Sequence, residues 1–309
     1  MSQKTYILCP GQGAQVVGMG KDFYESSPIA RDIFDRANQI IGFDLKEICF
    51  NGPEQRLNET DVSQPAIYVT SVACFATAQA AGAINPADVT AYAGLSLGEY
   101  TALHLGGAFS FEDGLKLVAA RGKYMQEAAV ASPSGMVALV GADEAAATKL
   151  CEENAQGEVL VPANFNAPGQ IVVSGAKSAC ERLVKAADAA GVRAVALAVA
   201  GAFHSPLMQS GADKMAAELE KVQIQSPTKT VYANVTAQPH TDPASIRRLL
   251  IDQIVKPVRW EQTMQTLVAQ GEARYVELAP GRVLTGLLKK INRRLPIESF
   301  ATADSIKAS

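Results

Sequence analysis

The sequence predicts an α/β protein with a parallel-sheet core and a small inserted subdomain of the ferredoxin-like type. Strand-like and helix-like segments alternate over residues 4–131 and again over 205–291. This alternation is typical of parallel sheets that are covered by helices on both faces. Residues 132–199 instead follow the order βαββαβ, which is that of the ferredoxin-like arrangement. We therefore expect a large subdomain formed by 1–131 and 200–309, with the small one inserted at 132–199.

The first half of the chain supplies the elements of the core in order. Serine at a helix cap followed by proline favours a helix start, and an alanine-rich, nearly uncharged stretch favours a buried helix. The predicted elements are a strand at Lys4–Cys9, a glycine-rich loop at Pro10–Gly20, a helix from Ser27-Pro28, a buried helix at 65–81, a strand at 90–93 and a helix from Phe111 to about Ala131.

The inserted subdomain and the last third of the chain are interpreted by the same rules. Short apolar runs rich in β-branched residues predict strands, and apolar residues at helical spacing predict helices. In the subdomain the strands are expected at 136–140, 159–163, 170–174 and 192–199, with helices at 143–155 and 177–190. Beyond it we expect a helix at 205–221, a strand near 230–234, two helices between 243 and 270, a strand at 274–278 and a helix at 282–291.

Composition restricts the class of protein. The 309 residues are 48% hydrophobic and 19% charged, which is typical of a soluble globular protein. A net charge of −3 disfavours nucleic-acid binding, which normally requires a basic surface. We find no apolar stretch of membrane-spanning length and no signal or transit peptide. Five scattered cysteines without a Cys-x-x-Cys pair predict reduced thiols, a cytoplasmic location and no metal site.

The segment Gly94-Leu95-Ser96-Leu97-Gly98 predicts a nucleophile elbow between a strand and a helix. In this turn the glycines let neighbouring backbone approach closely, and the serine hydroxyl is exposed at the edge of the sheet. Because the elbow is typical of α/β-hydrolases, we expect an α/β-hydrolase-like core. Unpaired N–H groups at the helix start also suit an oxyanion. The alternative is a serine that only caps the helix.

A nucleophilic serine needs a base, and the chain has three histidines. His104 lies about two helical turns beyond Ser96, too far from its hydroxyl. His240 falls in a turn-rich loop that we expect to be exposed. His204 lies at the return from the inserted subdomain, where clefts form, and is the predicted base; a structural histidine is the alternative. Because no orienting acid stands out between Ser96 and His204, an ordinary esterase is disfavoured.

Arg121 follows apolar residues at helical spacing, where arginines are unusual. A partly buried arginine needs an anion, and a substrate carboxylate fits its bidentate geometry. The alternative is an internal salt bridge to an acid of the protein. Gly122 beside it weakens a helix, which indicates close packing at that point.

The loop that contains Gly11, Gln12 and Gly13 raises the alternative of a nucleotide-binding module. That interpretation is disfavoured, because Val16 stands where the dinucleotide fingerprint requires a third glycine. The other interpretation is that the backbone N–H near Gln12 supplies a second oxyanion donor beside the elbow.

Taken together, these motifs resemble the acyltransferase family of fatty-acid and polyketide synthesis, and within it the malonyl-CoA:acyl carrier protein transacylases. The resemblance covers nearly the whole chain, and several motifs in order are far more specific than any single one. It rests on Pro10–Gln15, Gly94–Tyr100, Arg121–Gln126, Asn164–Gln170, Gly201–Ser205, and Gln253 with Pro257–Trp260.

The resemblance implies a role for each matching residue. Ser96 would be the nucleophile and His204 its base. Arg121 would bind the substrate carboxylate. The backbone N–H groups of Gln12 and Leu97 would form the oxyanion hole.

Further roles follow from the same resemblance. A carbonyl group of Gln253 would orient the catalytic histidine. Phe203 matches the malonyl-type form of its motif, and Asn164 would line the substrate pocket. Leu95 is a departure, since many members carry histidine there.

The implied reaction is malonyl transfer from malonyl-CoA, through a malonyl-serine ester, to the phosphopantetheine thiol of acyl carrier protein. The reaction would serve fatty-acid biosynthesis, and we expect the enzyme to be a monomer without a metal. No cofactor is expected, because the phosphopantetheine belongs to the carrier protein. A polyketide loading enzyme differs only in pathway, and an esterase or thioesterase would use water as acceptor. Two basic patches are candidate docking sites for the carrier: Lys289, Lys290, Arg293 and Arg294, and Lys185 with Arg193.

A neutral group that orients His204 makes it a weaker base than a carboxylate would. A thiol, with a pKa of about 8.5, is more acidic than water, so a weaker base is sufficient to deprotonate it. We therefore expect transfer to thiols to be favoured over hydrolysis, and a Gln253→Asp variant to hydrolyse more malonyl-CoA.

Overall fold

A parallel sheet of five strands forms the centre of the protein. The structure, a computed structural model, describes residues 4–307. Its strands are β1 (Thr5–Cys9), β2 (Val89–Gly94), β3 (Ser134–Val140), β4 (Leu160–Ala167), β5 (Gln170–Ala176), β6 (Arg193–Ala196), β7 (Thr230–Val231), β8 (Arg274–Leu278) and β9 (Ile297–Phe300). The central sheet has the order β7-β2-β1-β8-β9, and every neighbouring pair in it is parallel.

The helices fall between these strands, as the alternating pattern predicts. None of the helices within residues 4–307 combines the length and apolar character needed to cross a membrane. They are α1 (Lys21–Ser26), α2 (Pro28–Ile41), α3 (Leu45–Asn51), α4 (Glu54–Asn58), α5 (Thr60–Ala80), α6 (Gly98–Leu105), α7 (Phe111–Ala131), α8 (Glu144–Ala155), α9 (Lys177–Ala189), a 3₁₀ turn (Pro206–Met208), α10 (Gln209–Leu219), α11 (Pro243–Val255), α12 (Trp260–Ala269), α13 (Val283–Ile291) and α14 (Ala303–Lys307).

Strand β1 is buried on both faces because its side chains alternate between two hydrophobic cores. Ile7 and Cys9 belong to the core that includes residues of α2, α5 and α7. Tyr6 and Leu8 belong to a second core on the opposite face, with Trp260 of α12. The predicted α/β sheet covered on both faces is therefore confirmed.

The second sheet is antiparallel, with the order β4-β5-β3-β6. Together with α8 and α9 it has the ferredoxin-like arrangement that the order of elements predicts, and it has a hydrophobic core of its own. The division into subdomains at 132–199 stays a prediction.

Backbone hydrogen bonds join this second sheet to the rest of the chain. The amide of Phe165 in β4 donates to the carbonyl of Val258, 2.9 Å away, and the Val258 amide donates to Ala163 at the same distance. Val258 lies just before α12, whose first residue Trp260 is buried in the second core. The inner edge of the ferredoxin-like sheet is thus held against the segment that precedes α12.

Several elements differ from the sequence prediction. The short helices α1, α3, α4 and α14 and the strand β9 are not predicted, because four to seven residues give too little periodicity to detect. The helix expected at 205–221 begins as a 3₁₀ turn and continues as α10. Strand β6 ends at Ala196 rather than 199.

Close contact between α7 and α5 explains Gly122. A Cβ atom at this position would lie 2.5 Å from the main-chain oxygen of Thr60, at the start of α5. The close packing that Gly122 predicts is therefore confirmed. It also determines where α7, which carries Arg121, lies relative to the core.

We expect Gly122→Ala to lower the free energy of unfolding by about 1–3 kcal/mol. The added methyl group would clash with the main-chain oxygen of Thr60, and backbone atoms cannot move away as a flexible side chain can. Gly286→Ala is the matched control. Gly286 lies exposed in α13, and a Cβ atom added there would have no neighbour within 4 Å, so alanine should stabilise the helix by about 1 kcal/mol. Denaturant unfolding measures both, and equal effects would contradict the close contact.

Candidate active site

The predicted nucleophile elbow is present. Strand β2 ends at Gly94, α6 begins at Gly98, and Ser96 between them has a φ of 51°. A Cβ on Gly94 would lie 1.9 Å from the carbonyl carbon of Gly98, and one on Gly98 would lie 2.1 Å from the oxygen of Cys9. Only glycine permits this approach, so the spacing of the motif is a steric requirement.

Ser96 contacts His204 directly. Its Oγ lies 2.9 Å from His204 Nε2, while His204 Nδ1 lies 2.6 Å from the main-chain oxygen of Gln253. A carbonyl oxygen only accepts, so Nδ1 carries the proton and Nε2 is free to accept from the serine hydroxyl. The alternative in which Ser96 only caps α6 is wrong, because Leu97 holds the cap position and no side chain caps the helix.

His204 is held in its neutral form. Burial lowers the pKa of the imidazole to about 4, the positive charge of Arg121 contributes, and the hydrogen bond to Gln253 opposes the shift. The residue is only 4% exposed. At neutral pH the nitrogen that faces Ser96 is therefore unprotonated, the state required of a general base.

Arg121 is buried beside the nucleophile and is 1% exposed. Its Nη2 donates to Ser96 Oγ at 3.0 Å and to Gln253 Oε1 at 2.8 Å, and its Nη1 donates to Gln64 Oε1 at 2.7 Å. Within residues 4–307 Arg121 forms no ion pair, so the alternative of an internal salt bridge is wrong. Burial lowers the pKa of the guanidinium, against the opposing influence of Tyr100 and Glu99. A desolvated cation without a carboxylate in contact has the chemistry to bind an anion.

The two predicted oxyanion donors both lie at the site. Gln12 lines the same cavity as Ser96, and Leu97 is the residue that precedes the first turn of α6. In the described part of the chain neither backbone N–H donates a hydrogen bond to another group. Both are therefore free for a ligand, and their role as an oxyanion hole stays a prediction.

A cavity of about 210 Å³ opens above these groups, between the two sheets. Ser96, Arg121 and His204 lie on its polar side, and Asn164 and Phe203 also line it; their role in a substrate pocket stays a prediction. Its remaining wall is mostly apolar and includes Leu95, Met125, Met136, Val172, Leu197, Val199, Val283 and Leu287. The cavity suits a short acyl group with one charged end.

His240 is not exposed, and that expectation is wrong. The residue is 8% exposed, and its Nε2 lies 2.8 Å from Glu99 Oε1. The turn-rich loop folds back on itself, with the His240 amide donating to the oxygen of Val231 and Tyr232 paired with Pro239. Turn composition predicts the reversal of the chain but not which side of the loop faces the core.

Sequence reasoning also missed Glu99 and Asn234, which lie directly under the elbow. Asn234 Oδ1 accepts from the Ser96 amide at 2.6 Å, and its Nδ2 donates to the oxygen of Gly94 at 2.7 Å. Glu99 is fully buried in the first turn of α6. Its signal in the sequence was a lone acid in an otherwise uncharged helix start.

The expectation for Gln253→Asp needs correction. The group that orients His204 is the main-chain oxygen of residue 253, which every amino acid possesses. The Gln253 side chain points instead to Arg121 and Glu99. A carboxylate there would not take the orienting position, so the variant does not test the preference for thiols.

The model of the acyl transferase domain family matches residues 5–307. The chain belongs to the acyl transferase family. It is therefore an acyltransferase. Over 292 residues it is 43% identical to a malonyl CoA-acyl carrier protein transacylase of Salmonella typhimurium, covering 94% of this chain and 93% of the relative.

Solved structures of family members have the same fold. The malonyl CoA-acyl carrier protein transacylase of Coxiella burnetii is 37% identical and superposes with a TM-score of 0.96, covering 100% of this chain and 97% of that one. A malonyl-transacylase solved in complex with its type II PKS acyl-carrier protein is 38% identical, with a TM-score of 0.94 over 99% of this chain and 98% of that one. The likeness extends through both sheets.

We expect the rate at which a serine-directed phosphonate labels Ser96 to be constant from about pH 8 to about pH 5. The neutral imidazole is the active form, so reactivity is present above the pKa of His204 and is lost as pH falls through about 4. Mass spectrometry of the labelled peptide measures the rate, and Ser96→Ala is the control. A midpoint near the ordinary histidine value of 6.5 would contradict the effect of burial.

Proposed function

We propose that the protein transfers the malonyl group of malonyl-CoA to the phosphopantetheine thiol of an acyl carrier protein, through a malonyl ester on Ser96. The observation that carries this proposal is the buried guanidinium of Arg121, 3.0 Å from Ser96 Oγ and without a carboxylate in contact. An acyl group that ends in a carboxylate supplies the missing anion. The names of relatives that span nearly the whole chain support the same substrates.

In the first step Ser96 attacks the thioester carbonyl of malonyl-CoA. The hydroxyl proton passes to His204 Nε2, which lies 2.9 Å from Oγ. The N–H groups of Gln12 and Leu97 stabilise the oxyanion of the tetrahedral intermediate. When the carbon–sulfur bond breaks, the departing CoA sulfur takes the proton from His204, leaving a neutral imidazole and a malonyl ester.

In the second step the phosphopantetheine thiol gives its proton to the same nitrogen and attacks the ester carbonyl. Collapse of the intermediate returns the proton to Ser96 Oγ and releases malonyl-carrier. A histidine whose pKa is lowered to about 4 is a weak base. Because a thiol of pKa about 8.5 is far more acidic than water, this base favours the thiol as acceptor.

The carrier must reach the mouth of the cavity. Lys290 of α13 donates a hydrogen bond to the side chain of Gln170, which lines the cavity. This contact supports the patch Lys289, Lys290, Arg293 and Arg294 as the docking surface of an acidic carrier, with Lys185 and Arg193 as the second candidate. The proposal includes fatty-acid synthesis in the cytoplasm by a monomer, without a cofactor.

Brief exposure to malonyl-CoA should leave one malonyl adduct, on the peptide that contains Ser96, and addition of holo acyl carrier protein should remove it. Mass spectrometry of the digested enzyme and of the carrier measures both steps. Ser96→Ala should carry no adduct, because the attacking oxygen is absent. Loss of the adduct at the same rate with and without carrier would instead indicate a hydrolase.

We expect Arg121→Ala to lower kcat/KM for malonyl-CoA by at least about 10³-fold. Without the guanidinium, the malonyl carboxylate would be bound in a buried site with no positive charge to pair with it. Transfer of acetyl from acetyl-CoA should fall far less, so that the ratio of the two activities reverses. Arg121→Lys is the control, since it keeps the charge but loses the forked geometry. Equal losses with both thioesters would show that the arginine is structural.

A further inference from the structure

A buried hydrogen-bond network lies behind the site, on the side away from the cavity. Its centre is Glu99, whose side chain is fully buried. Glu99 Oε2 accepts from Gln253 Nε2 at 2.6 Å and from the Asn234 amide at 3.1 Å, and Oε1 lies 2.8 Å from His240 Nε2. Neither carboxyl oxygen lies in the cavity, so this acid does not touch the substrate.

The amide of Gln253 connects this network to the reacting groups. Its Nε2 donates to Glu99 Oε2 and, at 3.0 Å, to the main-chain oxygen of Ser96, while its Oε1 accepts from Arg121 Nη2 at 2.8 Å. The reverse orientation would point the NH₂ group at the guanidinium and the oxygen at the carboxylate. Only one orientation pairs every group, and the acceptor oxygen of Glu99 favours it together with the Ser96 main-chain oxygen and the Arg121 donor.

We propose that Glu99 is a positioning residue, which orients the Gln253 amide and provides the negative charge that balances the buried Arg121. The inference rests on the proposed malonyl transfer and extends it to a residue outside the cavity. Through Gln253 the carboxylate acts on both catalytic groups. The side-chain oxygen holds the guanidinium, and the main-chain oxygen of the same residue orients His204.

The charges around Glu99 determine what its removal would do. The ionisable groups that interact with Glu99 are Arg121 of α7, Tyr100 of α6 and His240, and His204 in turn interacts with Arg121. The charge of Arg121 already lowers the basicity of His204. Without a negative charge at Glu99 the site becomes more positive, which favours the malonyl carboxylate but makes His204 a still weaker base. Affinity and rate should therefore move in opposite directions.

Glu99→Gln tests this, because glutamine keeps an acceptor for Gln253 and a second polar atom for His240 but removes the charge. Single-turnover acylation by malonyl-CoA should be about tenfold or more slower at saturation, with a half-saturating concentration no higher than in the wild type. A merely structural loss would instead raise that concentration or reduce the fraction of active enzyme. An unchanged rate would overturn the proposal.

Glu277→Gln is the matched control. Glu277 is also a fully buried carboxyl with several donors, the amides of Leu284 and Thr285 and the Thr285 hydroxyl, at the start of α13. It contacts neither Gln253 nor Arg121. This variant should lose stability but acylate within about twofold of the wild-type rate, and a loss equal to that of Glu99→Gln would overturn the specific role.

A second pair of variants keeps the test decisive if Glu99→Gln does not fold. His240→Gln retains a donor for Glu99, whereas His240→Leu removes it. Acylation should be nearly normal in the first and slower in the second, and equal rates would overturn the inference. Wild-type enzyme in the same assay separates the two proposals, because failure of the wild type to be acylated by malonyl-CoA would contradict the proposed function itself.

Discussion

A buried cation without an acid in contact is the constraint on which the site depends. Moving a guanidinium out of water is costly unless other groups replace the water. Around Arg121 the amide oxygens of Gln64 and Gln253 accept from Nη1 and Nη2 but do not neutralise the guanidinium, and its Nε has no partner among residues 4–307. Its charge therefore remains available beside Ser96, and it also lowers the pKa of His204. Attraction of an anion and weak basicity of the histidine have one physical origin.

The fold holds these groups in place mainly through backbone contacts. The elbow is closed by glycines that touch main-chain atoms, and Asn234 bonds the amide of Ser96. The opposite wall is formed largely by the antiparallel sheet, whose edge strand β4 pairs with the backbone at Val258. Main-chain hydrogen bonds therefore hold the antiparallel sheet beside the segment that leads into α12.

Local patterns predicted the parts of the site that depend on local geometry. Ser96 was identifiable because glycine spacing reflects steric contact within one turn, and Arg121 because a charge interrupts an apolar helix face. His240 was misplaced, since the burial of a loop depends on what the chain packs against it far along the sequence. The family resemblance, not a local pattern, implied that a carbonyl of Gln253 orients His204, and a sequence does not distinguish a main-chain from a side-chain oxygen. Short elements such as β9 were missed because few residues carry little periodicity.

Ser96 and His204 share an uncommon backbone conformation. Ser96 and His204 have φ values of 51° and 57°, in the left-handed region that most side chains avoid. Side chains branched at Cβ are the least tolerated there. Threonine, although it carries a hydroxyl, is therefore sterically unsuited to position 96, whereas the unbranched thiol of cysteine fits. The backbone conformation at position 96 therefore restricts which nucleophilic side chains fit there, independently of their chemical reactivity.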